Sequence, residues 1–142
     1  MVNRFTEAEA LKIFEDSCHG MKAMHDCVPP IAHRDIKPEN VLVVGEKYKL
    51  CDFGSATTKH GTPGVDMDKE DTDDDIQRNT TLQYRAPEQV DLYCGKRISE
   101  KVDIWALGVY LYVNSAHRSA PPKFGESWGR GRGDLRFGQH AC

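Results

Sequence analysis

Residues 33–42 of the chain read HRDIKPENVL, and residues 52–54 read DFG. Four of the polar side chains in these two segments are two carboxylates, one ammonium group and one amide: Asp35, Asp52, Lys37 and Asn40. Transfer of a phosphoryl group requires a carboxylate that orients the attacking hydroxyl, a cation beside the moving phosphoryl group and oxygen ligands for Mg²⁺. The order and spacing of these residues therefore predict a phosphoryl-transfer site.

The stretch between the two segments predicts a β-hairpin. Two short runs, VLVV at 41–44 and YKLC at 48–51, lie on either side of a turn that begins with Gly45. Such a hairpin would bring Asn40 and Asp52 to the same side of one cleft. Either residue alone would be interpreted as an ordinary turn residue. Together with Asp35 and Lys37, they indicate a pair of Mg²⁺ ligands.

Two helices are predicted, one before this region and one after it. TEAE at 6–9 is a capping-box pattern, and apolar residues recur behind it at helical spacing, which predicts an amphipathic helix over 7–26. The Met and aromatic stripe of this helix is interpreted as core. The run DIWALGVYLY at 103–112 is apolar nearly all round, which is typical of a helix buried on every side. Asp103 would open that helix, where a carboxylate suits the N-terminus.

A different kind of sequence occupies 55–79. From Asp66 to Asp75, seven of ten residues are acidic, and Met67 is the only strongly apolar one. This composition predicts a solvated, mobile loop, above all over 60–77. A Ca²⁺ site is not predicted, because the run lacks the glycine and the closing glutamate of an EF-hand loop.

Composition places the chain among ordinary globular proteins. Its 142 residues carry a formal charge of −3, and its apolar runs are too short to span a bilayer. The N-terminus lacks the apolar segment of a secretory signal, so a cytoplasmic location is expected. The five cysteines form no C-x-x-C pair and are interpreted as reduced thiols.

A third block, TTLQYRAPE at 80–88, completes a recognisable set. With these three blocks, the chain from Phe5 to Val113 resembles the C-terminal lobe of a eukaryotic Ser/Thr protein kinase. Narrower features, such as LCDFGSATT at 50–58 and DIWALG at 103–108, are similar to the numb-associated and actin-regulating kinases. The resemblance implies a partial kinase domain over 5–113. It also implies an α+β, mainly helical fold with a short β-hairpin beside the catalytic loop.

The resemblance implies roles for the residues of the first two blocks. Asp35 would be the catalytic aspartate, and Lys37 would steady the γ-phosphate of ATP. Asn40 and Asp52 would bind Mg²⁺. The implied reaction is transfer of the ATP γ-phosphate to Ser or Thr hydroxyls of proteins, with ATP and Mg²⁺ as cofactors.

Further residues would support the site. Thr81 would hydrogen-bond towards Asp35 and Lys37, and Asp103 would brace the backbone around His33 and Arg34. Three more family positions are matched by Phe53, Gly54 and Glu88. The stretch between DFG at 52–54 and APE at 86–88 would be the activation segment of the family. Arg34 would be the cation that contacts this segment when it is phosphorylated. The candidate phosphorylation sites in that segment are Thr57, Thr58, Thr72 and Thr80.

Partners and location also follow from the resemblance. Its implied substrates are endocytic adaptor or actin-regulatory proteins, and its implied locations are the cytoplasm, the cell cortex and endocytic sites. Nucleic acid is not expected as a partner, because the basic Gly/Arg run at 129–133 is short. That run is not a nucleotide-binding loop either, since no strand precedes it and Asp134 stands at its sixth position.

The resemblance is interrupted at both ends of the sequence. The 142 residues contain no glycine-rich loop followed by a strand lysine, and 114–142 is predicted to be an unrelated, disordered tail. Glu88 would then lack an Arg partner. The helix from Asp103 would expose an apolar patch formed by Trp105, Leu107, Leu111 and Tyr112. Two hypotheses therefore stand: a Ser/Thr kinase domain segment, or a non-catalytic fragment or binding module that is inactive because it cannot hold ATP.

Overall fold

A computed structural model describes residues 6–117 of the protein, with side chains described through residue 113. The helices and strands follow one another in the order α1 (Glu7–His25), β1 (Val41–Val44), β2 (Lys47–Leu50), α2 (Lys69–Asn79), α3 (Pro87–Val90) and α4 (Val102–His117). The two strands form an antiparallel sheet, so the predicted α+β fold with one hairpin is confirmed.

Helix α1 begins at the predicted capping box. Thr6 lies in extended conformation, its side chain accepts from the Glu9 backbone N–H, and the Glu9 carboxylate accepts from the Thr6 N–H at 2.7 Å. These bonds satisfy backbone donors that the first turn leaves unpaired. Ile13 and Ser17, one turn apart, form the buried face of the helix. The prediction of a helix over 7–26 is therefore confirmed to within one residue.

The hairpin packs directly on α1. Val41 pairs with Leu50 and Val44 with Lys47. The Tyr48 backbone N–H donates to the Asp16 carboxylate on α1 at 3.0 Å, which fixes β2 against the helix. A β-carbon at Gly20 would lie 3.3 Å from the Leu50 side chain, so the glycine allows this close approach.

The prediction of a mobile loop is wrong for 69–79, which form α2. The Asp68 side chain caps the helix by accepting from the Asp71 N–H at 3.0 Å, and acidic residues suit the positive end of a helix dipole. Thr72 and Ile76, spaced by one turn, are buried. The acidic composition concealed this short amphipathic pattern, because only those two side chains of the helix are buried.

The core lies between α1, the 33–42 segment and α4. Its fully buried members are Ile13, Ile36, Ala106, Leu107 and Tyr110. A second apolar cluster joins α2, α3 and the start of α4 through Ile76, Ala86, Leu92, Ile98 and Val102. Ile36 of the 33–42 segment is a member of the first cluster, and Val41, Tyr48 and Leu50 of the hairpin pack against that cluster, so the core anchors the segment that carries the site.

Helix α4 is only partly covered within the described residues. Trp105 and Tyr112 are exposed as predicted, and Ile104 joins them. Leu111 is half-buried, and Leu107 is 3% exposed, so the prediction was wrong for Leu107, which faces the core. The helix continues to His117, four residues into the predicted tail; 118–142 lie outside the described residues. In residues 6–117, no helix has both the length and the apolar character needed to cross a membrane.

Candidate active site

Four polar side chains meet in one hydrogen-bonded network. The Asp35 carboxylate accepts from the Thr81 hydroxyl at 2.6 Å and pairs with Lys37 Nζ at 2.7 Å. Lys37 Nζ also donates to Thr81 Oγ1 at 2.9 Å. Asn40 Nδ2 donates to the Asp35 backbone carbonyl at 2.8 Å and to its carboxylate at 3.1 Å. Residues 46 positions apart in sequence are therefore locked around one carboxylate.

Local structure brings Asn40 and Asp52 to the same end of the hairpin. Pro38–Asn40 form a 3-10 turn that leads into β1, with Pro38 in the first helical position where its missing N–H costs nothing. The Cys51 N–H donates to the Asn40 carbonyl at 2.9 Å, which extends the hairpin pairing by one step. Asp52 follows immediately, as the spacing of the sequence predicts.

Asp52 has an unusual backbone. Its φ of 59° lies in the left-handed region that non-glycine residues rarely adopt. Its carboxylate accepts from the Gly54 N–H at 3.3 Å, and a β-carbon at residue 54 would lie 3.2 Å from the same oxygen. The small residue therefore allows the carboxylate to fold over the turn. Among the described residues, no hydrogen bond joins Asp52 directly to the Asp35 network.

Asp103 holds the backbone that leads into Asp35. Its fully buried carboxylate accepts from the His33 and Arg34 backbone N–H groups, each at 2.7 Å. Arg34 has a φ of 69°, so this bracing stabilises a strained left-handed conformation next to Asp35. The His25 ring lies 2.9 Å from the same carboxylate. Asp103 is therefore the point at which α1, α4 and the 33–42 segment are joined.

The His33 side chain connects the two sequence blocks. Its Nε2 lies 3.0 Å from the Cys51 carbonyl, which makes Nε2 the protonated nitrogen, and Nδ1 accepts from the Asp35 N–H at 3.3 Å. The Phe53 ring packs against it with centroids 5.4 Å apart. The imidazole therefore links the backbone N–H of Asp35 to the backbone carbonyl of Cys51, the residue before Asp52.

Charge in the network favours the ionised form of Asp35. Burial acts to raise the pKa of Asp35, but hydrogen bonds from Lys37 and Thr81 and the charge of Lys37 outweigh burial, so the net pKa lies below its usual value of 3.8. Burial, followed by the charge of Glu39, raises the pKa of Tyr84 to about 12. At neutral pH Asp35 is therefore a carboxylate and Tyr84 a protonated phenol.

The remaining predicted site residue, Glu88, is not part of this network. It lies in α3 and is partly exposed, and within the described residues it forms no ion pair or side-chain hydrogen bond. Two partners of the site were missed from the sequence: His25, which contacts Asp103, and Asp75, which pairs with Arg34. No local sequence signal could have found them, because their partners lie 78 and 41 positions away.

Residues 1–123 match the family described as the protein kinase domain. The chain belongs to the protein kinase domain family. Kinases of this family in general use ATP and Mg²⁺.

Relatives of this kinase segment are named as Ser/Thr kinases. This chain is 55% identical over 111 residues to a probable serine/threonine-protein kinase of Dictyostelium discoideum, and the match covers 77% of this chain and 14% of the relative. A second such kinase from the same organism is 53% identical over 112 residues, covering 78% and 10%. Actin-regulating kinase PRK1 of Saccharomyces cerevisiae is 46% identical over 126 residues, covering 88% and 16%. The chain therefore spans less than a fifth of each relative, and the predicted resemblance to the Ser/Thr and actin-regulating kinases is confirmed.

Proposed function

We propose that this chain is the catalytic-loop segment of a Ser/Thr protein kinase, in which Asp35 orients a protein hydroxyl for attack on the γ-phosphate of ATP. One observation carries the proposal: Asp35, Lys37, Thr81 and Asn40 form a closed hydrogen-bonded network. A chance loop would not pair its carboxylate with three partners drawn from two distant blocks. We propose 5–113 as the extent of the partial domain and 114–142 as a separate tail, the first four residues of which continue α4 to His117.

The network divides the chemistry among its side chains. The ionised Asp35 would accept a hydrogen bond from the incoming Ser or Thr hydroxyl and take its proton as the new P–O bond forms. The bond from the γ-phosphorus to the bridging oxygen of ATP breaks in the same step, and ADP leaves. Lys37 places a positive charge beside Asp35, where it would stabilise the negative charge on the phosphoryl group during transfer. Thr81 holds both groups in place through its single hydroxyl. Alignment, rather than covalent chemistry by the protein, is the main contribution.

The residues beside this network fit a magnesium ion. Asn40 donates both of its bonds through Nδ2, which leaves its amide oxygen to face a cation, and the exposed Asp52 carboxylate uses one oxygen for the Gly54 N–H. Amide and carboxylate oxygens are ligands that Mg²⁺ accepts, usually together with substrate phosphates. In residues 6–117 no group of three His, Cys, Asp or Glu side chains could hold a metal ion by itself. A nucleotide-bound Mg²⁺, which neutralises charge on the transferred phosphoryl group, is therefore the cation we assign to Asn40 and Asp52.

The similarity to actin-regulating kinase PRK1 supports a proposal for substrates. We assign Ser or Thr residues of actin-regulatory or endocytic adaptor proteins as acceptors. The corresponding place of action is the cytoplasm at the cell cortex and at endocytic sites.

A non-catalytic binding module is the second candidate, because of one feature of the sequence. The 142 residues contain no glycine-rich loop followed by a strand lysine, the elements that hold ATP phosphates in kinases. Without them, Asn40 and Asp52 would contact a nucleotide only weakly. These 142 residues by themselves would then act by binding a partner protein through the activation segment.

A phosphate-transfer assay separates the two candidates. The chain is compared with a completed domain, in which residues 6–113 are joined to the ATP-binding lobe and the later helices of PRK1. We expect transfer from radiolabelled ATP by the completed domain, loss of transfer with Asp35→Ala, and no transfer at that rate by residues 1–142 alone. An inactive completed domain, or one whose activity survives Asp35→Ala, would contradict the proposed function. Transfer by the chain alone, abolished by Asp35→Ala, would show that the missing elements are not required.

A further inference from the structure

The side chain of Arg34 extends from the catalytic loop, residues 33–42, towards α2 and is almost buried. Only 11% of it is exposed, and its guanidinium cannot lose its charge in a protein. Its Nε donates to the Ser55 carbonyl at 2.6 Å. A buried cation needs an anion, because a carbonyl dipole does not neutralise its charge. The anion that the structure supplies is the carboxylate of Asp75, which pairs with Arg34 Nη1.

Asp75 is presented to Arg34 by a fixed helix. Its second carboxylate oxygen accepts from Asn79 Nδ2 at 2.7 Å, one turn further along α2. Buried Thr72 and Ile76 lie on either side of it along the sequence and anchor α2 to the rest of the fold. The Asp75 carboxylate is therefore held in place by Asn79 as well as by the guanidinium of Arg34. The anion that Arg34 contacts is an unmodified side chain.

Two of the four candidate phosphorylation sites lie on α2 or at its C-terminal cap, and their hydroxyls are otherwise engaged. Thr72 is 5% exposed and donates to the Asp68 carbonyl. Thr80 donates to the Ile76 carbonyl at 2.7 Å and accepts from Arg85 Nε at the same distance. Phosphorylation of either residue would remove the hydroxyl proton and the hydrogen bond that it donates, whereas the position opposite Arg34 is already filled by Asp75.

We propose that Asp75 is a positioning residue that holds Arg34, and with it the catalytic loop and the turn after Asp52, without any phosphorylated residue. The inference rests on the proposed function for its catalytic meaning. Arg34 precedes Asp35 directly, and its other partner, Ser55, ends the turn Phe53–Ser55 that follows Asp52. The Asp75–Arg34 pair therefore ties α2 to both halves of the site at once.

The test uses the 142-residue chain, made in bacteria and shown by mass spectrometry to carry no phosphate. Asp75→Asn removes the anion but keeps the shape of the side chain. Asp74→Asn is the matched control, because Asp74 lies next to it on α2 and pairs only with Arg78, at the exposed surface. Hydrogen exchange over 69–79 reports the Asp75 end of the contact. The ¹⁵N NMR signal of Arg34 Nε, which donates to the Ser55 carbonyl, reports whether the guanidinium stays in place.

We expect Asp75→Asn to speed exchange over 69–79 by about 10-fold and to shift the Arg34 Nε–H signal, while Asp74→Asn changes neither. In Asp75→Ala, which empties the place of the carboxylate, millimolar inorganic phosphate should restore the signal, since the guanidinium would accept another anion. A merely structural role of Asp75 predicts no such rescue. Equal behaviour of the two variants, or an unphosphorylated chain in which Arg34 Nε–H exchanges freely, would overturn the proposal.

A kinetic readout in the completed domain separates this inference from the proposed function. Asp75→Asn should lower kcat by about 10-fold with little change in KM for ATP, because positioning of the catalytic loop is lost while nucleotide contacts remain. Unchanged kcat in Asp75→Asn would overturn the positioning role. If the completed domain is inactive with every sequence, including the unaltered one, the proposed function fails, and the exchange and NMR results still decide whether Asp75 holds Arg34.

Discussion

Replacing Asp35 with Asn should lower the kcat of the completed domain by about 10²–10⁴-fold, the usual contribution of a general base. The amide keeps the size of the side chain and can still accept from Thr81, but it cannot take a proton from the attacking hydroxyl or pair with the charge of Lys37. KM for ATP should change little, since Asp35 is not among the residues assigned to the nucleotide. Steady-state kinetics with a Ser or Thr peptide would measure both quantities.

The control for this variant is Asp73→Asn, which makes the same chemical change on the exposed face of α2. Asp73 accepts only from Gln77 Nε2 at 3.3 Å and lies outside the network, so its kcat should match the unaltered domain. The pH profile gives a second check. Because the folded pKa of Asp35 lies below its usual value of 3.8, the carboxylate stays ionised throughout the pH range above 3.8 and is protonated only as the pH falls through the lower folded pKa. A loss of activity near pH 6 that disappears in Asp35→Asn would contradict this assignment.

Asp103→Ala should destabilise the chain by about 3–5 kcal/mol, because it leaves buried donors without their charged acceptor. The carboxylate is fully buried and serves the His33 and Arg34 N–H groups and the His25 ring. A loss of this size is a large fraction of the stability of a small domain. Urea unfolding followed by circular dichroism would report it as a lower midpoint at unchanged slope.

Two further variants keep this prediction decisive if Asp103→Ala fails to fold. Asp103→Asn retains one oxygen acceptor and should lose less stability than the alanine variant. Asp91→Ala removes an exposed carboxylate that accepts only from the Tyr93 N–H, at 2.9 Å, and should stay within about 1 kcal/mol of the unaltered chain. An Asp103→Ala midpoint equal to that of Asp91→Ala would show that Asp103 does not hold the 33–42 segment.

Much of the fold could be predicted because its signals are local. The capping box at Thr6, the glycine turn between β1 and β2 and the apolar run after Asp103 each specify one element through near neighbours in sequence. The Asp35 network was predictable for a different reason. Its members occupy fixed places in two motifs, so recognition of the motifs implied the contact between Thr81 and Asp35 before any distance was known.

What could not be predicted depends on tertiary contacts. Helix α2 resembles a solvated loop in composition, and it is held by the burial of Thr72 and Ile76 and by the pair between Asp75 and Arg34. The direction of Leu107 was equally hidden, since a helix that is apolar on all sides does not show which face meets the core. Contacts over 41 and 78 positions leave no periodic trace in the sequence.

The central claim is that Asp35, Asn40 and Asp52 form one phosphoryl-transfer site. A crystal structure of the completed domain with Mg²⁺ and a non-hydrolysable ATP analogue tests it most directly. We predict that the Asn40 amide oxygen and an Asp52 carboxylate oxygen both lie about 2.1 Å from a Mg²⁺ ion that also contacts the nucleotide phosphates. The Asp35 carboxylate should remain bonded to Thr81 and face the γ-phosphate. A metal ion bound elsewhere, or Asn40 and Asp52 too far apart to share one ion, would contradict the claim.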